Sequence, residues 1–108
     1  MINSVSATEL AALLKSDKPP RLLDVREQFE FEIASLPDAI LLPLGQIPDQ
    51  VHELERLRDE PMVVYCHHGM RSMHAIHFLQ HAGFTNLANL SGGIDAWSRE
   101  VDPQTPRY

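Results

Sequence analysis

The sequence contains only one cysteine, Cys66, among 108 residues. Without a partner cysteine no internal disulfide can form, which excludes the small secreted domains that disulfides hold together. The chain also lacks an apolar run of the roughly 18 residues that a transmembrane helix needs. Its start, MINSVSATEL, has neither the basic nor the apolar segment of a signal peptide. We therefore expect a protein of the reducing cytoplasm.

Acidic residues are missing from one long stretch of an otherwise acidic chain. The net charge is −6, which disfavours nucleic acids and anionic membranes as partners. Between Glu60 and Asp95 there is no Asp or Glu, yet Cys66, Arg71 and five of the six histidines lie there. A buried strand and helix would also exclude charge. An anionic ligand would nevertheless meet the least repulsion in this stretch.

Short apolar runs alternate with helical patterns along the whole chain. The hydrophobic fraction is 44%, and the length suits one domain over residues 1–108. The alternation predicts an α/β fold with a central, mostly parallel sheet of four to five strands and helices on both faces. The predicted strands are 21–25, 39–44, 62–65 and 87–90, and the predicted helices begin near residues 7, 28, 46, 72 and 93. The helix from 46 is predicted to run to 57, and the helix from 72 to carry Phe78 on its apolar face, together with Ala75, Leu79 and Ala82. The tail, 102–108, is predicted to lie irregularly on the surface.

Cys66 stands where the most apolar of these strands stops and a helix is about to begin. In open parallel sheets, ligands bind outside the carboxyl ends of the strands. Converging backbone N–H groups and a helix N-terminus make a tight loop at such an end a cradle for anions. Gly69 would let the backbone turn inward there. A cysteine at the mouth of this cradle would be favoured as the thiolate, which is its nucleophilic form.

Arg71 strengthens the prediction of an anion site. A cation in the first turn of a helix is unfavourable by about 0.3–1 kcal/mol, because it meets the positive end of the helix dipole. An arginine there is easier to explain if an anion, a thiolate or a persulfide lies inside the loop, since a guanidinium binds oxyanions with two hydrogen bonds.

Four motifs in order resemble those of the rhodanese-like sulfurtransferases. The segment CHHGMRS, residues 66–72, has that family's active-site spacing of cysteine, four residues, then arginine and serine or threonine. LLDVRE at 22–27 resembles the family's first strand motif, and GGIDAW at 92–97 its glycine-rich turn. The second motif is matched by Pro37, Ala39, Ile40 and Pro43.

The resemblance implies a rhodanese-like domain with a catalytic Cys66 that carries sulfane sulfur as a persulfide. It implies an anion-binding loop formed by His67, His68, Gly69, Met70, Arg71 and Ser72. It also suggests supporting residues around the loop, namely Asp24, Arg26, Gly92 and Gly93. The donor would be thiosulfate or a persulfide, and the acceptor an external thiol, cyanide or a sulfur-carrier protein, because no second cysteine can discharge Cys66. No cofactor, nucleic acid or membrane is expected.

The sequence departs from the family pattern outside the cysteine loop. Ser35 stands where a histidine is usual, Asp38 replaces a common glycine, and Leu41 replaces a frequent polar residue. These three differences are expected to affect the shape of the active-site entrance and the choice of partner, and not the chemistry of the cysteine. The tail, 101–108, resembles that of rhodanese domains fused to enzymes that activate ubiquitin-like sulfur carriers.

Other interpretations of the same residues stay open at this point. Cysteine phosphatases have five residues between cysteine and arginine, whereas this chain has four, which favours a cradle for one sulfur atom. A non-catalytic binding module with the rhodanese fold is a second alternative. Such modules commonly lack the cysteine, whereas this chain has both Cys66 and Arg71. Asp24 could serve only as a helix cap, Arg26 could brace the sheet through Glu27 or Glu30, and 92–93 could be a simple turn. The histidines at 74, 77 and 81 suggest surface positions, so no metal site is predicted.

Overall fold

The computed structural model describes residues 2–108 and contains a sheet of five parallel strands. The strand order is β1–β5–β4–β2–β3. The strands are β1 (Asn3–Val5), β2 (Arg21–Asp24), β3 (Ile40–Leu41), β4 (Met62–Tyr65) and β5 (Leu87–Leu90). The helices are α1 (Ala7–Leu14), α2 (Gln28–Ile33), α3 (Ile47–Gln50), α4 (Met70–His81) and α5 (Gly93–Glu100). The predicted α/β class is confirmed, with all pairings parallel.

The central strand β4 is buried along its whole length because helices cover both of its faces. Val64 and Cys66 face one side, where they pack with Ala75, Ile76 and Leu79 of α4. Val63 and Tyr65 face the other side. That second layer includes Leu10 of α1 together with Ile94 and Trp97 of α5. The alternation of a strand therefore places Cys66 on the α4 side of the sheet.

The segment between β3 and β4 differs from the single helix predicted from residue 46 to residue 57. It forms a 3₁₀ turn at Leu44–Gln46, the short helix α3, and a longer 3₁₀ segment at Val51–Leu57. The buried residues of the last segment, Leu54 and Leu57, are three positions apart. Because a 3₁₀-helix has three residues per turn, this spacing places both on one face.

Two further features of the elements differ from the sequence prediction. The edge strand β1, which pairs with β5 through Asn3 and Ala88, was not predicted. Phe78 was predicted to lie on the buried face of α4, but its ring is exposed and Ile76 fills the core instead. Among residues 2–108, no helix has both the length and the apolar character to cross a membrane.

Candidate active site

The loop between β4 and α4 wraps its backbone around the sulfur of Cys66. The N–H groups of Gly69 and Ser72 donate to Cys66 Sγ, with N···S distances of 3.1 Å and 3.4 Å. Gly69 has φ 118°, a conformation that residues with a Cβ rarely adopt, and it caps the first turn of α4. The predicted cradle of amide groups is thus present, and it points at the sulfur.

Cys66 lies at the floor of this cradle and not at its mouth, where the sequence had placed it. The residue is only 1% exposed and belongs to the core cluster on the α4 side. Met70 is exposed at the rim, and His67 and His68 follow the cysteine towards the surface. A reaction at the sulfur therefore requires a reactant that reaches it from the loop side.

Ser72 and Asn89 form a buried polar pair beside the sulfur. Ser72 Oγ lies 3.5 Å from Cys66 Sγ and 3.1 Å from the carbonyl oxygen of Gly69. The same hydroxyl is hydrogen bonded to Asn89 Oδ1 on the neighbouring strand β5. Asn89 was not predicted as a site residue. Its only signal in the sequence is an amide side chain within an otherwise apolar strand.

Arg71 is held by a carboxylate from another helix. Its Nη1 and Nη2 atoms donate to Oε2 and Oε1 of Glu30, at 2.7 Å and 2.9 Å. Glu30 lies on α2 and is buried. Its carboxylate also accepts a hydrogen bond from the Glu27 N–H, at 2.9 Å. The sequence predicted an anion inside the loop as the partner of Arg71. In the structure, the partner of Arg71 is instead a carboxylate of the protein itself. The negative charge of Glu30 offsets the unfavourable interaction of Arg71 with the positive end of the α4 dipole.

This ion pair changes the proton affinity of both groups. The hydrogen bonds from Arg71 outweigh burial and lower the pKa of Glu30 to about 2 from its ordinary 4.5. The pKa of Arg71 is raised, mainly by its hydrogen bonds to Glu30 and by the negative charge of that carboxylate. Arg71 therefore remains a fixed positive charge near the sulfur.

Asp24 and Arg26 form a separate buried pair. Arg26 Nε donates to Asp24 Oδ1 at 2.9 Å, and Nη2 donates to Asp24 Oδ2 at 2.6 Å. Asp24 does not cap a helix, because its carboxylate is fully buried against Arg26. Arg26 braces the sheet as expected, although it reaches Glu30 through the backbone, with Nη1 3.4 Å from the Glu30 carbonyl oxygen. Among residues 2–108, no direct hydrogen bond joins this pair to the cysteine loop. Its geometry braces the ends of β2 and α2.

The predicted glycine-rich turn does contact the loop. Gly93 packs directly against the carbonyl groups of Cys66 and His67. The next two N–H groups of α5 donate to these carbonyls, Ile94 to Cys66 at 3.0 Å and Asp95 to His67 at 3.1 Å. Gly92 has φ 76° and precedes the helix as its cap. The first turn of α5 therefore fixes the backbone that carries the sulfur.

The loop histidines stack on each other and on the tail. The ring centroids of His67 and His68 are 4.0 Å apart, and those of His67 and Tyr108 are also 4.0 Å apart. Burial, and then the neighbouring His68, lower the pKa of His67 below its ordinary 6.5. His67 is therefore mostly neutral at pH 7.

Three side chains beside the cysteine loop are arranged as possible metal ligands, although no metal site was predicted. Donor atoms of His67, His68 and Asp95 lie within 4.8 Å of one another. The Asp95 carboxylate already accepts from Arg99 Nε at 3.0 Å and from Arg107 Nη2 at 3.3 Å. These two arginines compete with a cation for Asp95, so we retain the expectation of a site without metal. The histidines at 74, 77 and 81 are exposed on α4, as expected.

The buried Glu30 predicts a measurable pH dependence of stability. A carboxyl whose folded-state pKa is depressed contributes stability above its unfolded pKa, and this contribution is lost as the pH falls towards the folded value. Between pH 5 and pH 3.5 we expect the wild type to lose about 1 kcal/mol more unfolding free energy than Glu30→Gln. Urea unfolding followed by the fluorescence of Trp97 measures this difference. Glu32→Gln, an exposed change on the same helix, should behave like the wild type; equal losses in wild type and Glu30→Gln would contradict the assignment.

Comparisons with known proteins agree with this architecture. The sequence model of the rhodanese-like domain matches residues 6–100. A sulfurtransferase of Allochromatium vinosum is 35% identical over 103 residues, covering 95% of this chain and 94% of the relative. The adenylyltransferase and sulfurtransferase MOCS3-1 of Zea mays is 34% identical over 109 residues, covering 96% of this chain, but the chain spans only 23% of its length. The crystal structure of a rhodanese-related protein from Thermoplasma volcanium has a TM-score of 0.81 and 34% identity, and covers 92% of this chain and 93% of its own.

Proposed function

This chain belongs to the rhodanese-like domain family, and from that premise we propose that it transfers sulfane sulfur through a persulfide on Cys66. Similar proteins of the same length are named sulfurtransferases, which supports the general class of reaction. The observation that carries the proposal is the pair of amide groups, from Gly69 and Ser72, directed at the only sulfur atom able to act as a nucleophile.

In the first half-reaction, the Cys66 thiolate attacks the outer sulfur of thiosulfate or of a persulfide donor. A new S–S bond forms to Cys66, the S–S bond of the donor breaks, and sulfite or a thiolate leaves with the bonding electron pair. The amide groups around the sulfur stabilise negative charge without reorganisation. Glu30 keeps Arg71 in place, so its positive charge is already present when the anionic donor arrives.

In the second half-reaction, an external nucleophile attacks the terminal sulfur of the Cys66 persulfide. The acceptor takes this sulfur, and the Cys66 thiolate is released with the electrons of the S–S bond. With cyanide the product is thiocyanate, and with a thiol it is a new persulfide. Since the chain contains no other cysteine, the acceptor must be a separate molecule, which we propose to be a thiol or a sulfur-carrier protein.

Intact-mass spectrometry tests the proposal directly. After incubation with thiosulfate, or with a low-molecular-weight persulfide, the mass should rise by one sulfur atom, about 32 Da. Cyanide should then restore the original mass and release an equal amount of thiocyanate. Protein alkylated beforehand on Cys66 is the control and should gain no sulfur. An unchanged mass with every donor, together with hydrolysis of an aryl phosphate, would instead support the phosphatase chemistry.

A further inference from the structure

The irregular tail brings one side chain, Tyr108, into the candidate site. The tail from Asp102 onward forms no helix or strand, as predicted, but Tyr108 is only 40% exposed. Its hydroxyl accepts from Arg26 Nη1 at 2.7 Å and donates to Glu30 Oε1 at 2.9 Å. Nothing in the sequence motifs pointed to this residue, which lies 42 positions beyond Cys66.

The hydroxyl of Tyr108 links the two arginine–carboxylate pairs. Glu30 Oε1 accepts both from this hydroxyl and from Arg71 Nη2, while Arg26 belongs to the brace with Asp24. Burial raises the pKa of Tyr108, so the hydroxyl stays protonated and remains a donor at neutral pH. Glu30, which holds Arg71, therefore also accepts a hydrogen bond from the tail.

The ring of Tyr108 covers the first residue after the cysteine. It lies nearly parallel to the ring of His67, with an interplanar angle of 7°. One main-chain hydrogen bond, from the Asp95 N–H of α5, fixes the carbonyl of His67. His67 is therefore held between the glycine-rich turn and the tail, directly beside a sulfur that is almost fully covered.

Building on the proposed function, we propose that Tyr108 is a positioning residue that sets which acceptors reach the Cys66 persulfide. Its ring holds His67 over the loop and so favours small acceptors over bulky thiols. Its hydroxyl holds Glu30, and through it Arg71, in the geometry needed for transfer. The two roles belong to different parts of one side chain, and substitution can separate them.

Tyr108→Phe and Tyr108→Ala separate the ring from the hydroxyl in a kinetic test. With thiosulfate as donor, kcat and kcat/KM are measured for cyanide and for glutathione, a bulkier thiol. Tyr108→Phe should lower kcat about fivefold with both acceptors and leave their kcat/KM ratio unchanged, because the hydrogen bonds of the hydroxyl to Glu30 and Arg26 are lost while the ring remains. Tyr108→Ala should also increase kcat/KM for glutathione relative to kcat/KM for cyanide, by about three- to tenfold. This factor corresponds to the free energy of one aromatic stacking contact. The exposed Gln104→Ala is the control in the tail.

A second measurement does not depend on sulfur transfer and distinguishes this proposal from the proposed function. Iodoacetamide should alkylate Cys66 about three- to tenfold faster in Tyr108→Ala than in the wild type, while Tyr108→Phe should react at nearly the wild-type rate. The wild type could gain no sulfur while Tyr108→Ala is still alkylated faster than the wild type and Tyr108→Phe. That result would support the role of the Tyr108 ring in covering Cys66 and contradict the proposed persulfide chemistry. An unchanged alkylation rate in a folded Tyr108→Ala, or an unchanged acceptor ratio, would overturn the proposal.

Discussion

Replacing Cys66 by serine is expected to reduce thiosulfate:cyanide turnover to the level of a blank without protein. A serine hydroxyl stays protonated at neutral pH, and it cannot form the S–S bond in which the transferred sulfur is carried. The substitution is nearly isosteric, and a serine oxygen can still accept from the amide groups of Gly69 and Ser72. We therefore expect the fold to persist, with the environment of Trp97 unchanged.

Two controls make the loss specific to the sulfur. Because Cys66 is the only cysteine, alkylation of the wild type with iodoacetamide should produce the same loss as the substitution. Ser91→Ala, an exposed change in the turn after β5, should retain full activity. Turnover by Cys66→Ser equal to that of the wild type would end the assignment of this residue as the sulfur carrier.

The features that could be predicted from the sequence are the local ones. The strand β4, the glycine-containing loop and the helix α4 are contiguous, so the order of residue types specifies both the turn and the direction of its N–H groups. The pairing of β1 with β5 joins Asn3 to Ala88, and β1 has neither an apolar pattern nor buried residues that would indicate it. Pairing between remote segments depends on the folded sheet, which a local pattern does not specify.

The same distinction applies to the candidate site. The amide cradle was predicted, but its supporting side chains, Glu30, Asn89 and Tyr108, come from three other parts of the chain. The acid-free stretch gave an indirect signal, because Arg71 has no acidic residue nearby in sequence and therefore needs a distant counter-charge. From the sequence alone, this signal favours a bound anion as the counter-charge. The buried carboxylate on α2 satisfies the same electrostatic requirement.

Gly93→Ala is expected to be the most damaging single change outside the cysteine loop. Gly93 has φ 61°, and an added Cβ would lie 2.3 Å from His67 O and 2.6 Å from Cys66 O. Both are backbone atoms that α5 fixes by hydrogen bonds, so neither can move without breaking the contacts from Ile94 and Asp95. We expect a loss of at least about 3 kcal/mol of unfolding free energy.

The displaced carbonyls belong to the residue that carries the sulfur and to its neighbour, so activity should fall as well. A shift of about 1 Å at the reacting atom can cost on the order of a hundredfold in rate, which is the loss we expect in folded Gly93→Ala protein. Urea unfolding and the thiosulfate:cyanide assay measure the two effects.

Two other glycines separate the steric clash from the loss of backbone freedom. A Cβ at Gly45 would meet no atom within 4 Å, so Gly45→Ala should be neutral or stabilising by up to about 1 kcal/mol. At Gly69 the nearest atom is 3.6 Å away but φ is 118°, so Gly69→Ala should incur only the conformational cost of about 1–3 kcal/mol. The expected order of damage is therefore Gly45, Gly69, then Gly93. If Gly93→Ala unfolded at the same urea concentration as Gly45→Ala and kept its activity, the close contact between α5 and the cysteine loop would not be what positions the sulfur.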